Sequence, residues 1–238
     1  MEKNKTDKKT IYLAAALFSG RETYFNTNIA DLLEKRNYNV IMPQRDGFEF
    51  GNLTTALRDK LPEKEIGSAV QDIIYHLDMG VFVNNSDIIL ANLDEPLDEG
   101  VVVEMSYAKL MGKKVIGFRT DVRAPYGNIE DPLKGMHFFP AYQCDYFISV
   151  YMPCKDTNSA DDELSGLIKQ VSNCINEADF SRYHELNNPL ILEMINNSKM
   201  LFEGINDVHS QESLELIAQR YIDNKELLEK LKPKIIVV

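Results

Sequence analysis

The sequence predicts an α/β protein built on a doubly wound parallel sheet, with a C-terminal helical extension. Short apolar runs at 10–18, 86–94 and 113–121 have the length and continuity of strands buried on both faces. Segments with helical spacing separate these runs, and such an alternation is typical of a parallel sheet covered by helices on both faces. From about residue 160 the chain is polar and helical, which predicts further helices after the sheet.

The remaining elements follow from the same periodicities and from turn residues. The first helix begins at Ser19 or Thr23, both of which have side chains that can cap a helix. Residues 44–55 predict a long loop, because the pair Asp46-Gly47 is a turn signal. Further strands are predicted at 38–43 and 145–153, and helices at 19–36, 67–85, 99–112, 160–178, 188–204 and 211–231.

Charge and composition exclude several classes of protein. The formal net charge is −11 over 238 residues and no basic cluster offsets it, so no nucleic-acid partner is expected. No apolar run approaches the ~18 residues that cross a bilayer, and the polar start of the chain lacks the apolar stretch of a signal peptide. We therefore expect no membrane partner.

Cofactor and metal motifs are missing from the sequence. No GxGxxG or GxxxxGK[ST] motif follows a predicted strand, so dinucleotide and triphosphate binding have little support. The three cysteines form no CxxC pair, and the four histidines form no HxxxH or HExxH pattern. We expect no cofactor, no metal and no disulfide framework, as in a cytoplasmic protein.

Glu104 lies in a predicted helix on a face that is otherwise apolar. Val101, Ala108 and Met111 share this face, and a carboxylate buried there is costly unless it is paired or used. A capping box would need an oxygen three residues earlier, where Val101 stands. Two interpretations remain open: a structural pair with a core Arg or Lys, or an ionised nucleophile at the floor of a pocket.

Other acids are predicted near the carboxyl ends of the strands, where open parallel sheets bind ligands. Asp94 and Asp98 follow the third strand, and Asp78 lies in the helix before it. Two carboxylates around one pocket suit glycosyl transfer, since one attacks the anomeric carbon and the other protonates the leaving group. Each acid is also a common turn, cap or helix-end residue. Tyr12 in the first strand is a typical core residue, but its hydroxyl needs a partner such as a carboxylate.

Three stretches of the chain resemble one known family, the nucleoside 2-deoxyribosyltransferases. They are IYLAAALFS, YHLD and DIILANLDEPLDEGVVVEMSYAKLMGKKVIGFRTDVR, and the resemblance extends over residues 10–150. Its most specific part is the Asp–x5–Glu spacing with EMSYA, behind the strand DIILA. The resemblance implies a flavodoxin-like catalytic domain at 1–153, with the helical extension at 154–238 packed on it. Many family members end soon after the sheet, and this chain continues.

The resemblance also implies an activity. A 2′-deoxyribonucleoside donor is cleaved, 2-deoxyribose is held covalently on a glutamate, and a free purine or pyrimidine base accepts it, with some hydrolysis. Such an enzyme belongs to nucleotide salvage and is expected to be a homo-oligomer.

The family pattern assigns roles to six residues of this chain. Glu104 matches the nucleophile, Asp78 the acid that protonates the departing base, and Tyr12 the residue that orients the nucleophile. Asp98 matches the aspartate that holds the 5′-hydroxyl of the sugar. Gln44 is a looser match to a base-contacting residue, and Asn128 matches an asparagine that reaches the sugar site of a neighbouring subunit.

Two alternatives compete with transferase activity. A 2′-deoxynucleoside 5′-monophosphate N-glycosidase resembles this family in fold and nucleophile but tends to carry serine where this chain has Asp98. An aspartate there would repel a phosphate dianion if water is excluded, which favours a nucleoside. A non-catalytic nucleotide-sensing module on the same fold would bind a ligand without turnover.

Overall fold

The computed structural model describes residues 8–180, 188–228 and 230. The chain divides into two compact units. The first, called here the sheet unit, comprises Met1–Met42 and Asn85–Glu185. The second, called here the helical unit, comprises Pro43–Asn84 and Leu186–Val238.

Among the described residues, five strands form one parallel sheet in the order β2-β1-β3-β4-β5. The strands are β1 (Thr10–Ala14), β2 (Asn39–Ile41), β3 (Ile88–Asn92), β4 (Lys114–Arg119) and β5 (Tyr146–Ser149). This is the strand order of the flavodoxin-like doubly wound fold, with its switch point between β1 and β3. The predicted fold class is therefore confirmed.

The helices follow in chain order. They are α1 (Gly20–Lys35), α2 (Pro43–Asp46), α3 (Phe50–Arg58), α4 (Glu63–Leu77), α5 (Glu99–Leu110), α6 (Phe138–Gln143), α7 (Thr157–Glu177), α8 (Pro189–Phe202) and α9 (Gln211–Leu228). A π-helical turn, called here the π segment, runs from Asp78 to Val83 directly after α4. No helix in the described ranges is long and apolar enough to cross a membrane.

The two faces of the sheet are covered by different helices. Ile11 and Leu13 of β1 belong to a buried cluster that also contains Leu33 of α1 and Ile168 of α7. Successive side chains of a strand point to opposite faces, so Tyr12 lies on the other face, which α5 covers. Helices on both faces explain why the strands are continuous apolar runs.

The start of α1 shows how local sequence sets an element boundary. Ser19 is the N-cap, and its hydroxyl accepts a hydrogen bond from the backbone N–H of Glu22. The Glu22 carboxylate accepts in return from the N–H of Ser19 at 2.8 Å. This reciprocal pair is a capping box, and it decides between the two predicted caps in favour of Ser19.

The predicted loop at 44–55 is wrong, because α2 and most of α3 occupy it. Leu53, Ala56 and Leu57 are buried and form an apolar stripe on α3 that packs against α4 and α9. The turn signal at Asp46-Gly47 marks only the break between the two short helices.

The compact units also divide the chain differently from the predicted boundary at residue 153. Leu164, Ile168 and Val171 place α7 in the core of the sheet unit, although the sequence division assigns it to the extension at 154–238. In the helical unit, the Tyr221 hydroxyl of α9 donates to the Asp72 carboxylate of α4 at 2.6 Å. Lys225 of α9 and Glu65 of α4 form an ion pair at 2.5 Å. The catalytic role of 1–153 stays a prediction.

The assignment of α7 to the sheet core can be tested by stability. We expect Ile168→Ala to lower the free energy of unfolding by about 2–5 kcal/mol, because it leaves a cavity in a fully buried site. Lys169→Ala, at an exposed position on the same helix, is the control and should change stability little. Urea unfolding followed by circular dichroism measures both. Equal stabilities for the two variants would contradict the packing described.

Candidate active site

A cavity of about 340 Å³ lies in the sheet unit at the carboxyl ends of β1, β3 and β4. It lies at the switch point, where the chain after β1 passes to one face and the chain after β3 to the other. Polar side chains from each exit line it: Ser19, Arg21, Asn92, Asp98, Thr120 and Arg123. The arrangement is suited to a small polar ligand.

Tyr12 of β1 and Glu104 of α5 are joined by a hydrogen bond, and neither is among the residues that line this cavity. The fully buried Tyr12 donates its hydroxyl hydrogen to Oε1 of Glu104, with 2.7 Å between the oxygens. Glu104 is half-buried at the edge of the stripe that Val101, Met105 and Ala108 bury on α5. A hydrogen bond from a buried donor favours the ionised carboxylate and fixes its orientation.

The helix dipole contributes little at Glu104. Asp98 is the N-cap of α5, so Glu104 lies six positions beyond it, in the second turn. The dipole effect falls off within the first turn. The Tyr12 hydroxyl is therefore the more important source of stabilisation for this carboxylate.

Asp98 has a structural contact at the mouth of the cavity. Its Oδ1 accepts a hydrogen bond from the backbone N–H of Val101 at 3.0 Å, which is the N-cap bond of α5. The side chain is half-buried and lines the cavity. A carboxylate has more than one acceptor site, so the same group can cap the helix and accept from a ligand hydroxyl.

Asp94 connects two loops. Its Oδ1 accepts from the backbone N–H of Thr120 at 2.6 Å, and its Oδ2 accepts from the Thr120 hydroxyl at 2.7 Å. Asp121 supports the same region, since it accepts from Glu95 N–H at 2.7 Å and from the buried Arg119 at 2.5 Å. These carboxylates hold the exits of β3 and β4 together, which is the structural alternative raised for Asp94.

Asn128 lies in an exposed turn of the sheet unit. Its backbone N–H donates to Asp131 Oδ2 at 2.8 Å, and its side-chain oxygen accepts from Glu130 N–H at 3.0 Å. The structure therefore shows a turn role for this side chain. Its proposed reach toward a neighbouring subunit stays a prediction.

Asp78 belongs to the helical unit, where it is the first residue of the π segment. The side chain is half-buried, and burial raises the pKa of Asp78 from 3.8 to about 7. Such a carboxyl is largely protonated at slightly acidic pH and can donate a proton near neutrality. π turns inside helices are frequent at functional sites.

Gln44 also belongs to the helical unit and lies, half-buried, in α2.

Sequence reasoning missed several residues that line the cavity. Arg21, in the first turn of α1, is exposed, and within the described residues its guanidinium has no hydrogen bond or ion pair. Phe25, one turn later, adds an apolar wall. The strand-end rule that led to Asp98 could have indicated Arg21, because α1 starts directly after the exit of β1.

Within the described ranges, no group of three or more histidine, cysteine, aspartate or glutamate side chains is placed to hold a metal ion.

The switch-point cavity and the oriented carboxylate beside β1 are features of a class, the α/β proteins that bind small molecules. Residues 11–137 match the family described as nucleoside 2-deoxyribosyltransferase, which is more than half of the chain. The chain belongs to this family. Its function is accordingly of the nucleoside deoxyribosyltransferase type, a pentosyl transfer with nucleosides and bases as substrates.

Other comparisons add little to this assignment. A crystal structure of a conserved protein from Enterococcus faecalis V583 is 22% identical, with 90% of this chain and 99% of that chain covered and a TM-score of 0.34. The sugar isomerase domain of an RpiR transcription factor from Sphaerobacter thermophilus is 10% identical, with 72% of each chain covered and a TM-score of 0.35. Neither TM-score supports an inference. No curated protein matches the chain significantly.

Because the pKa of Asp78 is raised in the folded protein, the free energy of unfolding should depend on pH through this residue. Because the folded pKa of about 7 exceeds the ordinary 3.8, the neutral carboxyl stabilises the fold at low pH. That contribution is lost as the pH rises toward 7. We expect Asp78→Asn, which stays neutral, to gain stability relative to the wild type between pH 4 and pH 8, by ~4 kcal/mol at most.

Urea unfolding of both proteins across this pH range provides the measurement. Asp59→Asn, at an exposed carboxyl of the same unit, is the control. A stability difference between Asp78→Asn and the wild type that stays constant with pH would show that burial does not raise this pKa.

Proposed function

We propose that this protein transfers 2-deoxyribose between purine and pyrimidine bases through a covalent intermediate on Glu104, with some hydrolysis. The observation that carries the proposal is the 2.7 Å hydrogen bond from the buried Tyr12 hydroxyl of β1 to the Glu104 carboxylate of α5. A half-buried carboxylate held in one orientation is prepared to attack an electrophilic carbon.

The proposed reaction has two balanced steps. In the first, a Glu104 oxygen bonds to C1′ of the donor nucleoside while the bond from C1′ to the base nitrogen breaks. The electron pair of that bond goes to the base, which takes a proton from Asp78. In the second, a nitrogen of the acceptor base bonds to C1′, Glu104 leaves as a carboxylate, and the proton lost by the acceptor returns to Asp78. Water in place of the acceptor gives hydrolysis.

Asp98 is proposed to bind the 5′-hydroxyl of the sugar. It lies six positions before Glu104, which is about 9 Å along the helix axis. Helical side chains lean toward the N-terminus, so the Glu104 carboxylate is displaced toward the end that Asp98 caps. The gap left between the two groups supports binding of a small sugar ring.

The remaining roles are proposed on the family resemblance. Gln44 contacts the base. Asn128 acts at the sugar site of a neighbouring subunit in a homo-oligomer, and its exposure on the sheet unit is compatible with that role.

A second candidate function is hydrolysis of 2′-deoxynucleoside 5′-monophosphates. One observation favours it: Arg21 and Arg123 line the same cavity as Asp98, and guanidinium groups bind phosphate. However, Arg123 is already engaged with Asp121 at 3.1 Å and with the carbonyl of Glu95. The Asp98 carboxylate opposes a dianion, so we rank the nucleoside first.

The transfer assay uses deoxyinosine as the donor and free cytosine as the acceptor, with deoxycytidine as the measured product. We expect Glu104→Ala to lose transfer by several orders of magnitude, because the covalent step is lost. Glu99→Ala, at an exposed glutamate of the same helix, is the matched control and should retain activity. Near-normal turnover by Glu104→Ala would exclude Glu104 as the nucleophile. If the wild-type protein binds deoxyinosine but does not turn it over, the non-catalytic module is favoured.

The second test concerns the 5′ position of the substrate. We expect Asp98→Ser to shift the ratio of kcat/KM values toward deoxynucleoside monophosphates, because a negative charge is removed and a donor supplied. Serine is also a good N-cap, so α5 should keep its first turn. The two ratios are measured with deoxyinosine and its 5′-monophosphate under identical conditions. An unchanged ratio would mean that Asp98 does not face the 5′ position.

A further inference from the structure

α8 and the π segment approach each other unusually closely within the helical unit. Ser198 of α8 is fully buried, and its hydroxyl oxygen lies 2.9 Å from the carbonyl oxygen of His76 at the end of α4. The same hydroxyl lies 2.9 Å from the carbonyl of Met194, four residues earlier in α8. A hydroxyl has one proton, so Ser198 donates to one of these carbonyls at a time.

The approach is possible because residue 80 is glycine. A Cβ placed on Gly80 would lie 1.8 Å from Oγ and 2.4 Å from Cβ of Ser198, and 3.2 Å from the carbonyl oxygen of Met194. The first two distances are far below van der Waals contact. α8 therefore packs directly on the backbone of the π segment, at the position two residues after Asp78.

The hydrogen bond to His76 has a physical reason in the wider turn. An α-helix pairs each carbonyl with the N–H four residues on, whereas a π turn pairs it with the fifth. Carbonyls at such a change of register are displaced from ideal α geometry, and a second donor can stabilise them. Ser198 supplies that donor from outside the helix, at the residue where α4 gives way to the π segment.

We propose that α8 is a positioning element for Asp78: the contact of Ser198 with Gly80 and with the His76 carbonyl holds the π turn that keeps the Asp78 side chain half-buried. Asp78 as the proton donor rests on the proposed function, whereas the positioning does not. α8 thereby gains a role in the proposed chemistry through Ser198, a residue distant in sequence from Asp78.

Burial alone raises the pKa of Asp78, which makes this carboxyl a good reporter of the packing. The titratable groups on the two helices packed against the π segment are Glu63, Lys64, Glu65, Asp72, Tyr75 and His76 of α4 and Glu193 and Lys199 of α8. The pKa of Asp78 is raised by burial, and none of these groups contributes to the shift. A change in that pKa after a neutral substitution therefore measures a change in burial.

The experiment compares Gly80→Ala with the double variant Gly80→Ala/Ser198→Gly. The added methyl group should force the π segment and α8 apart, and removal of the Ser198 side chain should restore the space. Gly67→Ala is the matched control, since it lies in α4 with no heavy atom within 4 Å of the added Cβ. The readout is the carboxyl carbon of Asp78 in an NMR titration, assigned by its absence in Asp78→Asn.

We expect the pKa of Asp78 to fall by about one unit or more in Gly80→Ala and to stay unchanged in Gly67→Ala. In the double variant it should recover only in part, because the space returns but the hydrogen bond to the His76 carbonyl does not. The fall in transfer rate with rising pH should move to lower pH by the same amount, because the acid must be protonated to act. An unchanged pKa in Gly80→Ala, or an equal fall in Gly67→Ala, overturns the proposal. If Gly80→Ala does not fold, Ser198→Ala replaces it in the titration. An Asp78 pKa that does not decrease in Ser198→Ala also overturns the proposal.

Failure of the proposed function is distinguishable from failure of this inference. The NMR titration requires no turnover, so a pKa that responds to residues 80 and 198 supports the positioning even in a protein that transfers nothing. Conversely, a pKa that does not respond in an active enzyme overturns the positioning and leaves the transferase activity standing.

Discussion

The parallel pairing of β1 with β3 sets where the candidate site opens in the sheet unit. Ala14, the last residue of β1, pairs in register with Ala91, so the two strands end side by side. The chain after β1 turns into α1 on one face, and the chain after β3 turns into α5 on the other. A crevice must open where the two connections diverge, and both Glu104 and Asp98 belong to one of those connections.

Several polar groups around this crevice stabilise the fold and cannot be assigned to catalysis by their charge alone. Asp94 and Asp121 bind backbone N–H groups of the loops after β3 and β4, and Asp121 also pairs with the buried Arg119. An unpaired guanidinium in that environment would be costly, so Asp121 compensates it. Asp98 combines a capping bond with a place on the cavity wall. Glu104 differs from these acids, because the partner shown for it is a buried phenol rather than a backbone amide.

Asp78 and Glu104 are affected by different interactions. Asp78 shifts toward neutrality because of burial, whereas Glu104 accepts a hydrogen bond that favours its ionised form. The raised pKa of Asp78 and the oriented carboxylate of Glu104 are each compatible with the role proposed for that residue. The π turn at Asp78 and the missing side chain at Gly80 are local irregularities of the kind that packing must hold in place.

The sequence by itself determined the parallel sheet, α1 and α5, and the presence of Glu104 on the helix after β3, because periodicity and capping residues act over a few positions along the chain. Tertiary structure decided the rest. The family resemblance pairs Tyr12 with Glu104, but the two residues are 92 positions apart, and only the fold brings the hydroxyl to the carboxylate. From its position after a strand, Asp94 is a candidate catalytic acid, but in the structure it accepts hydrogen bonds from backbone amides of the loop after β4. The helices within 43–58 and the packing of α7 depend on apolar stripes whose partners lie far along the chain. Burial against such partners decides where a marginal helix forms, and turn residues do not.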